Sequence, residues 1–377
     1  MKLKRFNPHW PSIQSSWIAL ALFSLSGIAE EAAPRFSIPQ ENHQFSFPED
    51  HGSHPDFKIE WWYLTGHLFS GDERFGFQAT FFRLAQSPED IPEGELFGNE
   101  QIYMAHMAIS DASGKRFIHE SRFNRGGWNA FSRMGKLDVR NGNWSLSGSE
   151  SEMMLTGSIR SEAAFSLTLN PAKSLVVFGE NGVSRKGAAE EAASYYLTFP
   201  RIDAKGTLRI SGRDLEVKGE VWMDHEVSSS QLDRNQVGWD WVSIQLFDGR
   251  EIMGYLLRNE DGSVSEFSKI VWIDEEGNLT NQLAEDFTWI PGGEWESPKT
   301  GAVYPISPSI ETTDPKTGDK LVLKVQPLFP EQEMAAAPGG VSYWEGACDI
   351  LDSTQVLIGR GYLELTGYVG DLAERLR

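Results

Sequence analysis

The chain has 377 residues, with 54 acidic against 34 basic side chains, a formal charge of −20, and 13 Trp, 22 Phe and 36 Gly. So acidic a balance excludes nucleic acid as the main partner and argues against anionic membranes, because phosphate contacts need clustered Lys and Arg, and no such cluster follows the N-terminus. The length exceeds one ordinary core and points to two domains, while the single cysteine, Cys348, excludes an internal disulfide and any CxxC-type zinc or redox site.

Lys2, Lys4 and Arg5 precede a thirteen-residue apolar stretch, Trp17–Ala29, which is followed at once by Glu30 and Glu31. This pattern predicts a secretory signal peptide over residues 1–29, with Gly27 and Ala29 as the small residues before the cut. The stretch falls short of the about 20 residues that span a bilayer; the alternative is an uncleaved N-terminal anchor. Cleavage removes three positive side chains and no negative one, taking the charge from −20 to −23. The mature protein is then expected to be secreted or periplasmic. In such an oxidising compartment Cys348 is expected to be buried as a small apolar residue.

After residue 40, apolar or alternating runs recur between turn signals such as Ser70-Gly71-Asp72, Asn141-Gly142, Asn181-Gly182, Asp248-Gly249 and Asp261-Gly262. That punctuation predicts a meandering, all-β antiparallel protein. The helical signals are two short ones, Ala188–Ala193, which reads equally as a loop, and Leu372–Leu376. A weak repeat runs through the chain. Trp61-Trp62-Tyr63, Leu68-Phe69, Gly71 and Gly76-Phe77 match Trp239-Asp240-Trp241, Leu246-Phe247, Gly249 and Gly254-Tyr255 at a constant offset of 178. Fainter echoes pair Tyr195-Tyr196 with Tyr343-Trp344, and Gly219–Trp222 with Gly361–Glu364. The repeat puts domains at 36–230 and 236–370, with a polar linker between them.

Three consecutive aromatics in a strand cannot share one core, since side chains alternate across the pleat. Trp61, Tyr63, Thr65 and His67 take one face and Trp62, Leu64 and Leu68 the other; in the second copy Trp239, Trp241, Ser243 and Gln245 oppose Asp240, Val242 and Ile244. The faces that mix aromatics with hydrogen-bonding groups have the chemistry of a ligand-lined cavity. Next, Trp222-Met223-Asp224-His225-Glu226 ends a strand with three ionisable groups, of which Asp224 and Glu226 share a face with Trp222. A carboxyl beside a Trp in a partly closed site is raised by desolvation and raised again by a second carboxyl; His225 is the other candidate acid or base. The cluster is poor as a metal site because its neighbours point to opposite faces. His51-Gly52-Ser53-His54 has ligand types without an evident fourth ligand. No serine-hydrolase elbow, zinc-protease motif, P-loop or dinucleotide fingerprint occurs, so no cofactor and no metal is expected.

At these segments the sequence resembles the AttH-like and carotenoid 1,2-hydratase (CrtC) group of lipocalin-like proteins. The likeness rests on His54-Pro55-Asp56-Phe57, Glu60-Trp61-Trp62-Tyr63, Trp222–Glu226, Gly238–Trp241 with Ser243–Leu246, and Tyr343-Trp344-Glu345-Gly346 with Gly361–Gly367. It implies two consecutive lipocalin-like β-barrels and an apolar ligand such as an isoprenoid, polyene or lipid. One implied activity is hydration or hydrolysis, with Asp224 or His225 as the acid, Glu226 or Asp240 orienting water, and Trp61, Trp239 and Trp241 facing a developing cation. Glu60, Tyr63, His67, Trp222, Gln245, Tyr343 and Trp344 complete the expected binding set. The alternative is a non-catalytic carrier that hands an apolar ligand to a membrane export complex.

Overall fold

Because side chains leave a strand alternately on its two faces, a strand rich in apolar residues at every position has to be covered twice, and that requirement organises the molecule. The structure, a computed structural model, describes residues 35–88, 101–127, 129–336 and 341–370. The expected signal peptide and the expected helix Leu372–Leu376 lie outside these residues.

The first sheet contains β1 (Ile59–Ser70), β2 (Glu73–Ala85), β3 (Gln101–Asp111), β4 (Arg116–Arg125), β5 (Ala130–Ser132), β6 (Leu137–Asn141), β7 (Trp144–Gly148), β8 (Met153–Ile159), β9 (Ala163–Pro171), β10 (Val176–Phe178), β11 (Ser184–Arg185), β12 (Ala193–Ile210) and β13 (Arg213–Ser230). Its order is β4-β3-β2-β1-β13-β12-β9-β8-β7-β6-β5, with β10 and β11 on β12. Arg122 and Asn124 of β4 reach Asn141 of β6, drawing the edges into a nearly closed barrel. The chain leaves this sheet at Ser230 and enters the second at Gln236. There follow β14 (Gln236–Leu246), β15 (Glu251–Asn259), β16 (Lys269–Ile273), β17 (Leu279–Leu283), β18 (Thr288–Ile290), β19 (Glu294–Glu296), β20 (Val303–Pro305), β21 (Ser309–Thr313), β22 (Lys320–Pro327), β23 (Glu333–Met334), β24 (Tyr343–Leu351) and β25 (Leu357–Leu365). Their order is β17-β16-β15-β14-β25-β24-β22-β21-β18, with β23 on β24 and β19–β20 as a separate ribbon. The second sheet forms a half-barrel. The fold is therefore all-β, two consecutive lipocalin-like barrels within one compact body, with one short 3-10 turn at Glu49–His51. Ala188–Ala193 is not a helix; its last residue opens β12.

Each barrel fills its interior from one face of each strand. Trp62, Leu64 and Leu68 of β1 join Phe75, Phe77, Phe165 and Met223 inside the first barrel, and Val242, Ile244, Trp344, Cys348 and Leu363 fill the second. Cys348 is fully buried, as its apolar character requires. The opposite faces meet between the sheets, where Tyr63, Tyr196, Trp222, Trp241, Tyr255 and Tyr362 form a third cluster. Gly76 of β2 stands so close to Ala347 of β24 that an added methyl would collide with it, a point where the two barrels pack tightly. Pro200 interrupts a central strand, where its missing N–H is normally disallowed; a register shift between Phe199 and Ile202 accommodates it.

The repeat holds along the first strand of each hairpin and breaks at the turn. Tyr63 faces Thr80 across the first hairpin, while its counterpart Trp241 faces Tyr255, a slip of three residues from the constant offset. The fainter echoes also shift. Asp224 is opposite Tyr63 and Glu364 opposite Trp241, so Glu364 corresponds to Asp224 and not to Trp222. Thr198 is opposite Asp224 and Glu345 opposite Glu364, which pairs Tyr196 with Tyr343 and not with Trp344.

Candidate functional site

A cleft opens where the outer faces of the barrels meet. Ile59, Trp61 and Tyr63 of β1 and Asp224 and Glu226 of β13 come from the first barrel, with Thr80, Phe82, Met104, His106 and Tyr196. Trp239 and Trp241 of β14, Tyr255 and Leu257 of β15, Val341, Tyr343, Glu364 and Thr366 come from the second, and Lys186 and Gln231 complete the wall. The non-atom space, open mouth included, is ≈ 1000 Å³, and its lining is mostly aromatic.

Asp224 is at the centre of a hydrogen-bond chain that crosses the seam. Thr198 Oγ1 and Trp222 Nε1 donate to Oδ1 at 2.6 and 2.7 Å, and Tyr196 Oη donates to Oδ2 at 2.7 Å. Trp241 Nε1, from the other barrel, donates to Tyr196 Oη at 3.0 Å. Burial pushes the Asp224 carboxyl up to about 7; the three donors limit the rise and the Glu226 charge adds to it. Glu226, two residues on, is paired with Lys186 Nζ at 2.8 Å and accepts from Ser194. Glu364 is pushed up to about 8 by burial, relieved by the Trp239 indole and raised further by the charges of Asp224 and Glu226.

Seven of the expected site residues line this cleft: Trp61, Tyr63, Asp224, Glu226, Trp239, Trp241 and Tyr343. Trp222 lies behind the wall and contributes its hydrogen bond to Asp224. The remaining six are placed elsewhere. His225 points into the other face of β13, stacks on Trp62 at 4.7 Å and shares Glu60 Oε1 at 2.9 Å. Glu60, fully buried, is bound by Arg83 Nε at 2.9 Å and by His54 Nδ1 at 2.8 Å, so it is a strut of the first barrel and not a ligand contact. Asp240 sits on the inner face of β14 with Arg258 Nη1 at 2.8 Å and Tyr368 Oη at 3.1 Å. His67 Nε2 bonds Gly361 O at 2.9 Å, and Gln245 Nε2 bonds Pro200 O at 2.8 Å and Val221 O at 3.1 Å; both clamp the barrels together away from the cleft. Trp344 is core, its Nε1 held by Pro330 O at 2.7 Å. One physical reason covers His225, Glu60, Asp240 and Trp344: they occupy the strand face opposite the cleft.

His54, Glu60 and His225 bring three potential ligand atoms within 4.8 Å of one another. Arg83 already places a fixed positive charge on the same carboxylate. Burial acts first to lower His54, but its hydrogen bonds to Asp50 and Glu60 outweigh that and hold it up at about 9. The set has the charge balance of a buried ion-pair network, which a cation would have to displace.

The functional residues that sequence reasoning missed are Tyr196, Lys186 and Glu364. Tyr196 stood in a noted echo, and Glu364 becomes visible once the repeat is aligned by strand partners. Lys186 lies in the irregular approach to β12 and carries no sequence signal.

The sequence profile of the AttH-like family matches residues 38–368. A search among curated proteins finds no match. Among solved structures, a candidate AttH from Nitrosomonas europaea superposes with a TM-score of 0.78 at 33% identity, over 89% of this chain and 100% of that one. Kievitone hydratase from Nectria haematococca gives 0.63 at 13% identity, over 89% and 97% of the two chains. CghA with Sch210972 gives 0.52 at 11%, over 82% and 89%. The latter two share the fold. Alternating aromatic strands, the Asp224-centred cleft and the match over nearly all described residues lead to one assignment: the chain belongs to the AttH-like family.

Proposed function

We propose that the cleft binds an apolar, unsaturated small molecule and that Asp224 catalyses addition of water to it. The observation that carries this reading is a buried carboxyl, raised to about 7, set among Trp61, Tyr63, Trp239 and Trp241. A group with such a value is poised to give and take a proton near neutral pH. Asp224 donates its proton to one carbon of a C=C bond, and the cation that forms on the other carbon faces aromatic ring surfaces, which attract positive charge. Water adds to that carbon and returns a proton to Asp224, so the net change is one water per double bond. The shared fold of kievitone hydratase supports a hydratase as the class, and an isoprenoid or polyene fits the lining.

The test is incubation with isoprenoid and polyene candidates in ¹⁸O-water, followed by mass analysis. Asp224→Asn is expected to abolish ¹⁸O incorporation while leaving quenching of Trp fluorescence by the same compounds. Turnover that persists in the variant overturns the assignment; quenching with no product in the wild type favours a carrier that passes its ligand to an export complex. We place this activity outside the cytoplasm on the strength of the N-terminal segment, to be checked by whether the protein recovered from the periplasm or medium begins at Glu30.

A further inference from the structure

Two carboxyls of the second barrel have no role in this chemistry. Glu345 on β24 and Glu364 on β25 are direct cross-strand partners, an arrangement that puts side chains on one face about 5 Å apart at Cβ. Glu364 lines the cleft. Glu345 lies behind that wall, 1% exposed, with the hydroxyls of Tyr63 and Tyr343 within hydrogen-bond reach of its carboxyl. Both tyrosines line the cleft, so this corner carries polar groups in an otherwise apolar wall. Two like charges so close in an apolar setting do not both ionise; burial and then mutual repulsion push Glu345 well above the usual range, and Glu364 is high as well. Two carboxyls and two tyrosine hydroxyls gathered at one corner of an otherwise apolar cleft, with Glu364 itself on the wall, fit a ligand that presents a polar group there.

We propose that Glu364 and Tyr63 form a second polar subsite of the cleft, in which Glu364 donates a hydrogen bond to a neutral oxygen, a hydroxyl or carbonyl, at one end of an otherwise apolar ligand. Glu345 is its positioning residue: its carboxyl, held by the Tyr63 and Tyr343 hydroxyls, sits across the strand pair from that of Glu364 and fixes the orientation in which Glu364 donates. This rests on the reading of the cleft as an apolar-ligand site and narrows the ligand to a neutral oxygenated molecule. Anionic lipids find no free cation among the described residues of the wall. Asp224, Glu226, Glu345 and Glu364 crowd this region, and Lys186, the lysine on the wall, is already bound to Glu226.

The experiment is Trp-fluorescence titration at pH 7 with three matched probes, farnesol, farnesene and farnesoic acid. Farnesol is expected to bind about tenfold more tightly than either of the others, the equivalent of one hydrogen bond of ~1.4 kcal/mol. Glu364→Leu and Glu345→Leu should each bring farnesol to the affinity of farnesene. Glu345→Gln, neutral and still able to hydrogen-bond, should keep the preference, an outcome that a purely packing role for Glu345 does not produce. Equal binding of all three probes, or preference for the acid, overturns the subsite and leaves the cleft as an apolar site; a retained preference in Glu345→Leu overturns the role of Glu345. Absence of quenching by any probe overturns the cleft reading together with this one. A farnesol preference without hydration product in any assay sustains the subsite and overturns only the hydratase reading.

Discussion

Replacing Asp224 by Asn removes a titrating group from the cleft while keeping its size, and the pH dependence of stability reports the result without any substrate. Asp224 is 2% exposed, and burial lifts its carboxyl from 3.8 to about 7 in the folded protein; unfolded, it returns to ~3.9. The folded state therefore holds this proton more tightly. The stability that follows is complete below pH ~4 and is lost as pH rises through the folded value. At 1.36 kcal/mol per pKa unit, a rise of roughly three units amounts to ~4 kcal/mol over that window. Asn has no such dependence. Urea unfolding of both proteins between pH 5 and pH 8 should show the wild type losing ~3 kcal/mol or more relative to Asp224→Asn, because the titrating groups that do not sense the Asp224 charge cancel in the difference, and Glu364, which that charge raises, adds a loss of the same sign. A difference constant to within ~0.5 kcal/mol across that range would mean that Asp224 is ionised throughout, and its role as proton donor would fall.

The strut on the far side of β1 and β13 makes its own predictions. Arg83→Leu leaves the Glu60 carboxylate, held well below its usual range chiefly by Arg83 against the penalty of burial, without its fixed counter-charge; a loss of ~3–5 kcal/mol in urea unfolding is expected, and a loss under ~1 kcal/mol would refute the pairing. His225→Gln should cost ~1–3 kcal/mol of stability yet leave quenching by farnesol in place, since His225 faces away from the cleft. Loss of binding at unchanged stability would return His225 to the ligand site.

Alternation along a strand is a local property, and what depends on it alone was legible in the residues. Trp62 and Leu64 face the first barrel's interior while Trp61 and Tyr63 face outward, as a period of two demands. The same rule places Asp224 and Glu226 together on the outer face of β13. The Gly and Asn turn signals sufficed for an all-β meander, and the offset of 178 located the leading strand of each barrel.

Pairing between strands and docking between sheets are non-local, and they decided the rest. The three-residue slip after the second hairpin's turn, which no pattern in the residues encodes, changes which residues face each other. The partners of Tyr63 and Trp241 across β13 and β25 reveal Asp224 and Glu364 as counterparts, and only that register exposes the Glu345–Glu364 pair. His67 and Gln245 had the correct face and the wrong depth, because the barrels pack together at that level, where both side chains are held by backbone carbonyls of the opposite barrel. Sequence by itself determined which face each side chain takes, since that follows from the pleat; tertiary structure determined which faces meet, since cross-strand register and sheet packing depend on residues far apart in the chain.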